Sequence, residues 1–288
     1  MSAAGRLAPD KPFFLYFATG AAHAPNHVAR EWIDKYRGQF DQGWDRLRER
    51  LFARQKQLGV VPANAGLTAR PRELPAWDSL PADERRLLAH QMEVYAGFLA
   101  HTDHEVGRLL RAVQALPGGD NTLILYIAGD NGASSESGLI GDETGKETAQ
   151  SLLEHMNELG GPRYSYNQYA SGWAWAMCTP FQWQKLIASH LGGTRDPLIV
   201  SWPARIKDPG GLRSQFTHVN DVAATLYEAA DIRFPSSVDG VKQLPLDGVS
   251  FADTFDHTDA PSHHRRQIFE QFGNRAIYED GWIAAARH

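Results

Sequence analysis

One amphipathic stripe limits the possible folds more than any other feature. Leu87, Leu88, Met92, Tyr95, Phe98, Leu99, Val106, Leu109, Leu110 and Val113 recur at helical spacing, which predicts one long helix with a continuous apolar face. Asp83 is placed to cap its start, and Pro117-Gly118-Gly119 ends it. Such a face needs broad apolar partners. Three runs are candidates: 12–17 (PFFLYF), 122–127 (TLILYI) and 197–202 (PLIVSW) read as strands, the first two buried on both faces. Strand and helix in alternation predict an α/β fold with a mostly parallel sheet flanked by helices.

The remaining chain is punctuated. From Arg30 to Leu58 the pattern is charged and helical, after which Pro62, Pro71, Pro75 and Pro81 break it into a loop-rich connection. Beyond Pro245 the runs shorten and end in a hairpin predicted to close on Asp280-Gly281. The expected division is a partial catalytic α/β domain over 1–240 and the start of a β-containing region over 241–288.

Charge and cysteine content exclude several classes. With 34 acidic against 29 basic residues the net charge is −5, too little positive field to hold a nucleic acid. The single Cys178 rules out an internal disulfide or a cysteine-built zinc site. No apolar run reaches the length of a spanning helix, and the first residues lack a signal-type core, so the expectation is a soluble, cytoplasmic chain with no membrane partner.

In an open α/β sheet, ligands bind beyond the carboxyl ends of strands, so polar residues just after a buried run carry weight. After the run 122–127 come Asp130 and Asn131, a carboxylate and an amide oxygen that suit a hard divalent cation, or equally a plain turn with Gly132. After the run 12–17 come His23 and His27, whose four-residue spacing suits a metal only if helical, while Pro25 argues for a loop. The third patch is Lys185, upstream of Gly192-Gly193-Thr194-Arg195-Asp196-Pro197, which also fits an ordinary surface lysine on a helix with a glycine cap. Trp173, Trp175 and Trp183 could wall an aromatic pocket beside it. His263-His264-Arg265-Arg266 reads as a solvated loop, and His218 as the opening of a helix.

In this order, these features resemble the sulfatase family of the alkaline-phosphatase-like superfamily, and the large bacterial arylsulfatases in particular. The blocks 31–62, 91–110, 120–134, 179–206, 213–232 and 269–288 all read like that group. The resemblance implies an incomplete sulfatase fold and calcium-dependent hydrolysis of a small-molecule sulfate ester. It further implies that Asp130 and Asn131 supply part of a calcium (Ca2+) site, that His23 acts near the ester oxygen, and that Lys185 contacts the sulfate.

Two family features are absent. The chain contains no Asp-Asp pair to complete the metal site and no Cys-x-Pro-x-Arg signature, whose cysteine becomes the formylglycine nucleophile. Cys178-Thr179-Pro180-Phe181-Gln182 resembles that signature, but Gln182 stands where the arginine belongs, and the segment aligns elsewhere in the family pattern. The chain is therefore read as a fragment lacking the nucleophile half, with an unpaired sheet edge and no activity alone. The alternatives are a phosphonate or phosphodiester hydrolase of the same superfamily, and a non-catalytic interaction module.

Overall fold

The computed structural model describes residues 11–164 and 168–288. The chain divides into two units, Met1–Gly119 with Ile127–Pro197, and Asp120–Tyr126 with Leu198–His288.

The first unit is helical. After a helical turn at Arg30–Ile33 come α1 (Gly43–Gln57) and α2 (Ala82–Gln114), the long helix expected from the stripe. Pro81 occupies the cap position, with no side-chain cap, and Asp83 lies in the first turn instead. Leu87, Leu88, Met92, Phe98 and, near the end, Val113 are buried, whereas Tyr95, Val106, Leu109 and Leu110 are only half-buried and Leu99 is exposed, so the stripe is used mainly in its first half. Two short helices follow: α3 (Ala149–Glu154), started by a Thr148/Ser151 capping box, and α4 (Ser171–Met177). The core is aromatic: the Trp44 ring meets Trp77 at 4.8 Å and 79°, and Trp173 at 5.7 Å and 84°. These edge-on geometries set ring hydrogens against ring faces.

The run 12–17 is not a strand. It has no regular secondary structure, and Phe14 is 77% and Tyr16 82% exposed. An all-apolar run is buried on both faces only if neighbouring strands cover it, and it pairs with no strand among the described residues.

In the second unit β1 (Ile124–Ile127) and β2 (Leu198–Ser201) form a two-stranded sheet. Leu198 and Val200 pack on Phe251, Ala252 and Phe255 while Ile199 is exposed, so β2 buries one face only. Helix α5 (Asp221–Ala229) follows, then β3 (Ser237–Val238), β4 (Val241–Lys242), β5 (Arg266–Gln271), β6 (Asn274–Glu279) and β7 (Trp282–Ala286). Strands β3 and β4 are antiparallel, as is the β5-β6-β7 sheet. The α/β class stands, but the described residues do not form the mostly parallel sheet expected. The terminal hairpin is where it was expected, with Asp280 at φ 49° and Gly281 at φ 89°, and β5 extends it to three strands.

His264 departs from the solvated-loop reading. Its Nδ1 donates to Asp221 Oδ1 at 2.9 Å, and the fully buried Asp221 carboxylate also accepts from the Val249 and His218 amides. The pair ties the loop before β5 to the start of α5. Among the described residues no helix is long and apolar enough to cross a membrane.

Candidate active site

All four residues singled out in the sequence belong to the first unit. Asp130 and Asn131 sit in the loop after β1. The Ala128 amide donates to the Pro197 carbonyl, and the Gly132 amide to Gly193, each at 3.1 Å. A Cβ on Gly132 would lie 1.7 Å from the Gly192 carbonyl oxygen, so only glycine allows the loop to approach the 192–193 turn this closely. Asn131 Nδ2 donates to Asp130 Oδ1 at 2.9 Å, which holds the two side chains together. Asp196 stands beside them, its Oδ1 3.2 Å from where a Gly129 Cβ would be. Burial, then the neighbouring Asp130 charge, pushes the Asp196 carboxyl up to about 6.

Lys185 lies on an irregular turn, not a helix, between Trp183 at φ 65° and Leu186 at φ 77°. Left-handed backbone at two bulky residues is uncommon and persists only where surrounding contacts fix it. One contact is the Lys185 amide, which donates to the Ala133 carbonyl at 3.1 Å and so joins this turn to the Asp130 loop. The Lys185 side chain is 19% exposed, and its Nζ donates to Glu136 Oε2 at 2.6 Å. Glu136 Oε2 also accepts from the Ser134 hydroxyl at 3.0 Å. The Lys185 ammonium holds the Glu136 carboxyl below its usual range, helped by Ser134 and by the charge of His23.

His23 is exposed in a non-helical loop, so a helical metal pair with His27 is not formed. Its Nδ1 donates to the Ala24 carbonyl at 3.1 Å, leaving Nε2 as the nitrogen able to exchange a proton. Glu136 is thus paired directly with Lys185 and feels the charge of His23. The structure groups Asp130, Asn131 and Asp196 as a second set, and the 129–136 loop runs through both.

The turn before Lys185 is held by a buried cation. Arg48, on α1, is 1% exposed and has no carboxylate partner among the described residues. Its Nη1 donates to the Trp175 carbonyl at 2.6 Å and to Thr179 Oγ1 at 3.3 Å. Nη2 donates to Thr68 Oγ1 at 2.6 Å, Pro180 O at 3.1 Å and Phe181 O at 2.8 Å. The guanidinium also stacks 4.3 Å from the Trp175 ring centre. Trp173 and Trp175 are therefore core and clamp residues rather than pocket walls. Cys178 is buried, and that burial pushes its thiol up to about 11, the opposite of an activated nucleophile.

The family model described as Sulfatase matches residues 4–232. The chain belongs to the sulfatase family. It is 30% identical over 285 residues to an uncharacterized sulfatase of Schizosaccharomyces pombe, covering 96% of this chain and 50% of that protein. It is 28% identical over 243 residues to an arylsulfatase of Klebsiella aerogenes, covering 84% of this chain and 51% of that protein. The chain spans about half the length of these curated relatives. The chain also carries site features that sequence reasoning passed over. Glu136 was hidden in a serine-rich turn, Asp196 in a strand entry, and Arg48 in a charged helix where nothing marks one arginine as buried.

The fit to a metal is partial. Asp130 and Asn131 offer hard oxygens, and a cation beside them would relieve the repulsion between Asp130 and Asp196. Among the described residues, however, no group of three or more His, Cys, Asp or Glu side chains could hold a metal ion. Calcium takes six to eight oxygens, so Asp130 and Asn131 by themselves do not complete a calcium site.

Proposed function

We propose that this chain carries part of the active site of an arylsulfatase-type sulfuric ester hydrolase, within a catalytic region over 1–240. Lys185 binds the sulfate oxygens, and His23 gives a proton to the leaving ester oxygen through Nε2. Asp130 and Asn131 provide some of the ligands of a calcium ion. Cleavage by attack at sulfur builds negative charge on the leaving oxygen, where a positioned proton donor lowers the barrier most. The observation that carries this reading is the Lys185 ammonium, 19% exposed, fixed through its own backbone to the Asp130 loop and paired with Glu136, a carboxylate that also feels the charge of His23.

None of the described side chains singled out here is an activated nucleophile. With calcium and 4-nitrophenyl sulfate, the chain by itself is expected to bind without turning over. Calorimetry should show phenyl sulfate binding that Lys185→Ala weakens by roughly tenfold or more, the scale of a charge-assisted contact. Equal affinity in the variant removes the proposal.

A further inference from the structure

Lys185 is already engaged. Its ammonium lies 2.6 Å from Glu136 Oε2, the same oxygen accepts from Ser134 Oγ at 3.0 Å, and the Glu136 amide donates back to Ser134 Oγ at 3.3 Å. The carboxylate is thus fixed by two donors, and a lysine side chain 19% exposed has little room to swing away from it. Any anion that Lys185 binds must share the ammonium with Glu136.

On the reading that Lys185 holds the ester's anionic group, we propose that Glu136 selects the charge class of the ligand. It shifts the preference towards a singly charged group, such as a sulfate monoester, and away from a doubly charged one, such as a phosphate monoester. Two acceptors on one tetrahedral ammonium lie about 4.5 Å apart. At that distance the repulsion from Glu136 by itself weakens binding about fivefold for each additional negative charge on the ligand, even at the dielectric of water, and so offsets most of the extra attraction to Lys185. Size and shape do not separate the two esters, since both are tetrahedral with similar oxygens. Charge does.

The test is calorimetric binding of phenyl sulfate and phenyl phosphate to the chain at about pH 8, where the phosphate ester is doubly charged. Glu136→Gln keeps the shape and an acceptor for Lys185, and should raise phenyl phosphate affinity about fivefold more than phenyl sulfate affinity. Glu136→Ala should shift the ratio in the same sense. A ratio unchanged in both variants overturns the proposal, as does equal weakening of both ligands, which would make Glu136 a support for Lys185. Lys185→Ala separates the two ideas. If it leaves both ligands bound as in the wild type, the reading of the site itself fails; if it abolishes binding while Glu136→Gln leaves the ratio unaltered, only the role of Glu136 fails.

Discussion

At the scale of single residues, the site rests on two cations held in opposite ways. Lys185 has a carboxylate partner and Arg48 has none among the described residues, so Arg48 depends on neutral oxygens to offset desolvation, which lowers its pKa to about 10. Replacing it by Met strands the Trp175, Pro180 and Phe181 carbonyls beneath the Lys185 turn. Urea titration should show Arg48→Met costing about 3–5 kcal/mol, with Arg48→Lys recovering only part, because an ammonium cannot reproduce the planar fork. A loss below about 1 kcal/mol in Arg48→Met would show that the clamp is dispensable. Glu136 gives a pH prediction. Its folded pKa lies below the ordinary 4.5, so the ion pair contributes stability above that value, lost as pH falls through the folded pKa. The contribution is under about 1 kcal/mol once solvent screening is allowed for. Carboxyl NMR should place the Glu136 midpoint below 4.5 in the wild type and move it up towards that value in Lys185→Ala; coincident midpoints would mean the pair does not persist in solution.

At the scale of elements, local chemistry was readable wherever it was sufficient by itself. The long helix followed from its own periodicity, and the last hairpin from Asp280-Gly281, because a two-residue turn matching strand twist needs positive φ at both positions. Asp239-Gly240 between β3 and β4 carries the same signature, with φ of 49° and 82°, but the sequence reading did not pick it out. Phe272-Gly273 between β5 and β6 was not legible, since a phenylalanine at φ 51° contradicts ordinary turn chemistry. The run 12–17 was misread because apolar content reports a need for cover, not its presence. These turns make a paired prediction. Gly281→Ala should cost about 1 kcal/mol of hairpin stability from conformation alone, as nothing lies within 4 Å of its would-be Cβ. Phe272→Asn, at an exposed position, should gain about 0.5–1 kcal/mol. Amide exchange across β6 reads both, and shifts of the same sign would contradict the turn assignment.

At the scale of the whole molecule, two separate aromatic cores do different work. Phe251 and Phe255 support β1 and β2 in the second unit, while the tryptophan cluster of the first unit stands behind the candidate site. Sequence could count the tryptophans but not assign them, since core and pocket walls draw on the same residue type. Their role became clear only once Trp173 packed edge-on to Trp44 and Trp175 lay on Arg48. From there a continuous path runs through α4 and the 178–181 turn to Lys185. Its tightest point is Gly172, where an added Cβ would fall 2.4 Å from Trp44 Cδ2. The Trp44 ring cannot yield, being fully buried between Trp77 and Trp173 and donating through Nε1 to the Pro75 carbonyl at 3.3 Å. Gly172→Ala should therefore destabilise the first unit by about 1–3 kcal/mol through overpacking, although alanine favours a helix by about 1 kcal/mol. If helix propensity prevails and the urea midpoint rises, the aromatic core is looser than its geometry indicates, and the path from it to Lys185 is not rigid.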